Sequence, residues 1–184
     1  MELVRPSAEH VAGYVDALQR GWSADTTRPA ATSEELRLIE TDPEHFLAAM
    51  DDREAKGPAV TLADGTTVPR IPGFRRWMWD GEFCGSIGLR WQPGTTELPP
   101  HCLGHIGYTV VPWKQKRGYA TDALRQLLPL ARAEGLASVD LATDADNLAS
   151  QRVIRTNGGF LVHEFTKAAA NGGGAALLYR ITLS

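Results

Sequence analysis

The stretch from residue 103 to residue 135 restricts the fold of this chain more than any other. Residues 103–111 form an apolar run that reads as a strand and stops at Pro112, whose ring also denies helical geometry to Val111. A short polar segment follows, with three cations in four positions (Lys114, Lys116 and Arg117), and ends at Gly118. Ala120, Leu124, Leu127, Leu128 and Ala131 then recur at helical spacing over residues 119–134. Pro129 inside that helix removes one backbone hydrogen bond and predicts a kink, and Gly135 suits the stop. Sheet and helix therefore share a core, the arrangement of an α/β or α+β domain.

The flanking sequence agrees. Residues 3–5 read as a strand, and Ser7 can cap a helix carrying Val11, Tyr14, Val15, Leu18 and Trp22. Residues 23–33, with Pro29, read as a loop; Ser33 opens a second helical region and Pro43 a third, short one. Residues 57–73 form a long loop with room for one small hairpin. Asp80-Gly81-Glu82 between the apolar runs 74–79 and 83–91 is a hairpin signal. Further strands are expected at 136–142, 160–165 and 177–183, with a helix from Asn147 to about Asn157 and a glycine-rich connector at 167–176. The expected architecture is one domain over residues 1–184, with a central mixed, mostly antiparallel sheet of about six or seven strands flanked by helices.

Charge and composition narrow the partners. Nineteen Lys and Arg against 22 Asp and Glu give a formal charge of −3, which argues against a nucleic-acid binder. No apolar run approaches the ~18 residues of a membrane span, and the start MELVRPSAEH lacks the apolar core of a signal peptide. Cytoplasmic location is the expectation, with Cys84 and Cys102 as thiols. His101, Cys102 and His105 lie close in sequence, but on a strand Cys102 would face away from the two histidines. No second cluster supplies further ligands, so no metal is expected.

A helix start offers unpaired N–H groups and the positive end of a dipole, which suit a phosphate. Gly118 allows close backbone approach, and the adjacent cations add favourable charge. Neither G-x-x-x-x-G-K-[ST] nor G-x-G-x-x-G occurs, so nucleotide triphosphatase and dinucleotide enzymes lack support.

Gln115-Lys-Arg-Gly-Tyr-Ala120 resembles the Q/R-x-x-G-x-G/A loop of the GNAT superfamily of acetyl-CoA-dependent N-acetyltransferases. Residues 106–112 look like that family's central strand, and residues 146–159 are similar to its downstream helix, which commonly reads N-x-x-S-x-R-V-[IL]. The resemblance implies acetyl-CoA as co-substrate and an amine as acceptor. It implies that the main chain around Gln115, Lys116, Arg117, Gly118, Tyr119, Ala120 and Thr121 cradles the pyrophosphate. Val110 and Val111 would bond the pantetheine amides, Asn147 would contact the same arm, and Ser150 would lie near the thiol.

Acetyl transfer to an amine calls for a base, an oxyanion stabiliser and an acid for the leaving thiolate. His105, on the central strand, is a candidate base with an ordinary pKa near ~6.5; a packed, hydrogen-bonded histidine is the alternative. Glu97 and His101 are weaker candidates. Where many relatives carry an acid Tyr this chain has Ile154, which leaves Ser150, Tyr108 and Tyr119 for that role. Trp77, Trp79 and Trp91 suit core packing better than an acceptor pocket. Three readings stay open: an N-acetyltransferase, a non-catalytic CoA-binding module of the same fold, and an unrelated phosphate-ester binder. A homodimer is among the expected assemblies.

Overall fold

The computed structural model describes residues 1–25, 28, 30–62 and 64–183. In chain order the elements are β1 (Glu2–Val4), α1 (Val11–Gln19), α2 (Ala31–Thr41), α3 (Pro43–Ala49), β2 (Asp51–Asp52), the small hairpin β3 (Val60–Thr61) and β4 (Thr67–Val68), β5 (Gly73–Trp79), β6 (Phe83–Arg90), β7 (Ile106–Val110), α4 (Tyr119–Ala133), β8 (Ser138–Asp144), α5 (Leu148–Thr156), β9 (Phe160–Thr166) and β10 (Ala175–Thr182). Local chemistry sets several of these boundaries. Asp42 accepts the His45 N–H at 3.0 Å, and Pro43 pre-sets the first turn of α3. Gly81 turns the β5–β6 hairpin at φ 104°.

Apart from the β3–β4 hairpin, two antiparallel sheets result. One runs β1-β5-β6-β7, with β2 also on β5; the other runs β8-β10-β9. The single sheet expected from sequence is thus parted between β7 and β8. Among the described residues, His105 hydrogen-bonds the two halves together: it donates its backbone N–H to Asp140 O at 2.7 Å, and its Nδ1 accepts the Asp140 N–H at 3.0 Å.

Strand alternation sends side chains of the first sheet to two cores. Met78, Ile87, Leu89 and Ile106 pack beneath α4 with Leu124, Leu127, Leu141 and Tyr179. Trp77 and Phe83 face the other way and pack with Tyr14, Leu18, Trp22 and Phe46 beneath α1. Trp77 stacks on Tyr14 at 4.7 Å, and Trp91 joins the first core, so both are packing residues. Trp79 packs partly buried against the second core and His10.

Three boundaries and one expected kink differ from expectation. The Ser7 carbonyl accepts the His10 N–H and its Oγ lies 2.8 Å from His10 Nδ1, so a turn forms there and α1 starts only at Val11. Helix α2 begins at Ala31, inside the predicted loop 23–33, whose Thr26, Thr27 and Pro29 lie outside the described residues. β7 starts at Ile106 rather than residue 103, because the His105 N–H turns to Asp140 instead of β6. Helix α4 runs unbroken through Pro129, which sits on its exposed side.

Candidate active site

Backbone alternation makes the parted edge of β7 chemically open. Arg90 N–H bonds His105 O at 2.9 Å and Val111 N–H bonds Cys84 O at 3.0 Å. In an antiparallel ladder, residues at this phase spend their backbone groups on β6, and the residues between them point theirs the other way. Val110 and Tyr108 therefore present N–H and C=O toward the gap beside β8. Val111 does not: its carbonyl also accepts the Lys114 N–H, and its side chain is fully buried. The open pair is Val110 and Tyr108 in place of the expected Val110 and Val111, because the strand's pleat selects alternate residues. Gln115 reaches back over this edge, its Nε2 3.4 Å from Val110 O.

Beyond β7 the chain forms a cradle. Lys116 and Gly118 both take left-handed geometry, φ 61° and 82°, and α4 starts at Gly118 without a side-chain cap. Among the described residues, no backbone N–H from Lys116 through Thr121 has a hydrogen-bond partner. Alternating left-handed residues with convergent N–H groups at a helix start make an anion-binding concavity. Gln115, Lys116, Arg117 and Gly118 are exposed; Tyr119, Ala120 and Thr121 are half-buried. Nothing lies within 4 Å of a Cβ built on Gly118, so the cradle is open in front of it.

Lys114 does not face this cradle. It is 7% exposed, and its Nζ lies 2.6 Å from Asp80 and 3.0 Å from Glu82, both in the β5–β6 turn. Burial pulls its pKa down, but the two carboxylates more than reverse this and leave it above the ordinary ammonium value. Asp80 also accepts the Tyr119 hydroxyl. Against the upward push of burial, these donors hold the Asp80 carboxyl well below the usual carboxylate range. The turn thus latches both ends of the cradle, and the cations left for a ligand are Lys116 and Arg117.

Helix α5 supplies the other wall. Asn147 caps it, Oδ1 accepting the Ser150 N–H at 3.0 Å, which leaves its Nδ2 free to donate. Ser150 Oγ lies 2.8 Å from the Tyr108 hydroxyl. Burial pushes the Tyr108 phenol up to about 12, so it stays protonated. Ile154 is buried in the core, its Cγ2 only 2.4 Å from where a Cβ on Gly159 would sit. Tyr108 was only one of three candidates for an acid by sequence; its contact with Ser150, 42 residues away, has no sequence signal.

His105 is 1% exposed. Since a backbone N–H can only donate, the Asp140 bond makes Nδ1 the acceptor and puts the neutral ring's proton on Nε2. Burial holds its pKa below the ordinary 6.5.

A cleft of about 830 Å³ joins these parts. It runs from Asn147, Ser150 and Tyr108 through the β7–β8 gap to the face of β5–β7 beneath α2, where Arg75, Gly88, Arg90 and Gly107 line it. His101 and Cys102 border the cleft, while Glu97 is exposed outside it.

A family model described as an acetyltransferase (GNAT) domain matches residues 3–159. The chain belongs to the GNAT acetyltransferase family. Solved structures share the fold at low identity. The microcin C7 self-immunity acetyltransferase MccE, in complex with acetyl-CoA and AMP, is 13% identical, with 98% of this chain and 91% of that chain covered and a TM-score of 0.60. The ribosomal L7/L12 α-N-protein acetyltransferase RimL, with coenzyme A, is 15% identical over 98% and 93% at 0.61. A GNAT-family acetyltransferase from Streptococcus pneumoniae is 12% identical over 100% and 99% at 0.61. A search of curated proteins finds no match to the sequence.

Proposed function

We propose that the protein transfers the acetyl group of acetyl-CoA directly to a primary amine of a small molecule, peptide or protein. The observation that carries this reading is the uncapped, glycine-initiated start of α4 set beside the open edge of β7. The N–H groups of residues 116–121 hold the pyrophosphate, with Lys116 and Arg117 as counter-charges. Val110 and Tyr108 bond the pantetheine amides through their main chain, and Asn147 Nδ2 donates to the same arm. MccE with acetyl-CoA and RimL with coenzyme A, of the same fold, support the choice of ligand.

The bound thioester supplies an activated acetyl carbon. As the amine nitrogen bonds that carbon and the C–S bond breaks, Ser150 Oγ–H gives its proton to the departing sulfur, and the proton shed by the nitrogen passes to solvent in the open cleft, which returns one to the Tyr108–Ser150 pair. Tyr108, protonated behind it, donates to Ser150 Oγ and replaces that proton; this takes the place of the Tyr that Ile154 supplants. His105 acts as the tie between sheets and not as a base, because its one lone pair is committed to the Asp140 N–H. The free thiols Cys84 and Cys102 support a cytoplasmic setting. Thiol release from acetyl-CoA, measured over a panel of primary amines, tests the proposal. Acceptor-dependent release is expected, and release that no amine raises above hydrolysis would overturn it.

A further inference from the structure

The floor of the cleft beneath α2 is two glycines wide. Gly88 on β6 pairs with Gly107 on β7, and Arg75 on β5 pairs with Gly88 from the other side. Directly paired residues share a face, as do residues two apart on one strand, so Arg75, Gly88, Gly107 and Arg90 all face the cleft together. A Cβ on Gly107 would meet nothing within 4 Å, and one on Gly88 would only touch Arg75 Cγ at 3.4 Å.

Among the described residues, and unlike their neighbours, neither arginine forms an ion pair with a carboxylate, although the charge of Asp25 acts on Arg90. Arg76 is paired with Asp51 at 3.1 Å, Arg28 with Glu34 at 2.6 Å, and Arg70 lies 3.7 Å from Asp52. Glu35, on the opposite wall, takes the Tyr14 hydroxyl at 2.6 Å, and Asp25 also lines this end of the cleft. Among the described residues, the Arg75 guanidinium has neither an ion pair nor a hydrogen bond, and Arg90 uses only Nε, which donates to Gly104 O at 2.8 Å. Three donor-bearing nitrogens of Arg75 and both terminal nitrogens of Arg90 therefore stay open over a flat floor. A planar guanidinium with unspent donors matches a carboxylate in two-pronged geometry.

Resting on the acetyl-transfer reading above, we propose that Arg75 and Arg90, over the Gly88–Gly107 floor, bind a carboxylate carried by the acceptor, so that the substrates are amines bearing an anionic group. A free amino acid and a peptide beginning with Asp or Glu share this chemistry. The glycine floor lets the acceptor's backbone lie close to the strands, and the arginines hold its charge while its amine extends toward Ser150.

The test compares wild type, Arg75→Gln and Arg75→Lys, each checked for unchanged thermal melting. Acceptors are amino acids against their carboxamides, and Asp- or Glu-initiated tripeptides against their Asn or Gln counterparts, all with saturating acetyl-CoA. In parallel, calorimetry with CoA present measures binding of the N-acetylated amino acids and tripeptides and of their amide versions. Wild type should favour the carboxylate member of one set by about tenfold or more in kcat/KM, mainly through KM. Arg75→Gln should bring that ratio near one through a loss on the carboxylate members, and Arg75→Lys should restore part of it. The set showing the preference tells amino acid from peptide. Equal use of acid and amide by wild type, or a preference kept by Arg75→Gln, overturns the subsite. If no amine is acetylated yet calorimetry shows an Arg75-dependent preference for carboxylates, the subsite stands and the transfer reading fails. Neither turnover nor discriminating binding overturns both.

Discussion

At the scale of single residues, two hydroxyls and one imidazole divide the work. In the proposed reaction Ser150 gives its proton to the sulfur while Tyr108, whose hydroxyl lies 2.8 Å from Ser150 Oγ, donates from behind. Ser150→Ala should therefore lower turnover by ~10²-fold or more, within the range of general-acid catalysis, while KM for acetyl-CoA changes only severalfold. Steady-state kinetics on the best acceptor decides this; an unchanged kcat would remove Ser150 from the chemistry. His105 contributes through structure. Its ring fills a buried site and its Nδ1 satisfies the Asp140 N–H, so His105→Leu, which orphans that donor, should destabilise the fold by about 1–3 kcal/mol. His105→Gln, with a side-chain oxygen to offer in place of Nδ1, should keep turnover within about threefold, far short of a lost base. The buried ring has a folded pKa below 6.5, so the unfolded chain binds the extra proton first. Its stabilisation is complete above that value and declines as pH falls through it toward the depressed folded value. Urea midpoints at pH 8 and pH 5.5 should separate more for wild type than for His105→Gln; equal separation would contradict the assignment.

At the scale of elements, the β5–β6 turn acts on the cradle in front of α4. Asp80 accepts from Lys114 and from Tyr119, which flank residues 115–118. Asp80→Asn removes the charge that compensates a nearly buried ammonium, leaving Glu82 alone to balance it. A stability loss of about 2 kcal/mol is expected, together with acetyl-CoA affinity reduced severalfold because both anchors of the loop weaken when the charge is lost. Thermal melting and calorimetry on one preparation measure the two effects, and wild-type affinity in the variant would show that the cradle holds its shape unaided. The hairpin itself was legible in sequence, since Asp80-Gly81 between apolar runs is a local signal. So were α4 and α5, whose start glycine, capping asparagine and apolar spacing all lie within one element. What the hairpin touches was not legible, because a turn residue's partner 34 positions away leaves no periodic trace. The start of α1 was misplaced for a related reason: Ser7 has the chemistry of a cap, but its carbonyl and hydroxyl bind His10 and close a turn instead.

At the scale of the whole molecule, the decisive feature is that two sheets meet at one residue and part beyond it. Sequence indicated the strands and their mostly antiparallel order but neither the parting nor the His105–Asp140 tie, a side chain to main chain bond between residues 35 apart. The parting exposes the β7 edge, sets it beside the start of α4, and lets one cleft run from Ser150 to the arginine-lined floor. Gln115, Gly118, Asn147 and Ser150 were legible as a spaced motif, and Tyr108 as one of three candidate acids; Arg75 and Arg90 come to the cleft only when the strands are laid side by side. This junction is proposed to hold acetyl-CoA by its pyrophosphate at the uncapped helix start. Calorimetric titration of acetyl-CoA into wild type and Gly118→Asp tests it most directly. Residue 118 needs left-handed geometry and faces open space, so aspartate adds strain, bulk and a negative charge where the phosphates would sit. Saturable one-site binding to wild type is expected, with at least tenfold weaker binding to a Gly118→Asp protein whose circular dichroism is unchanged. Wild-type affinity in that folded variant, or no binding by wild type, would contradict it.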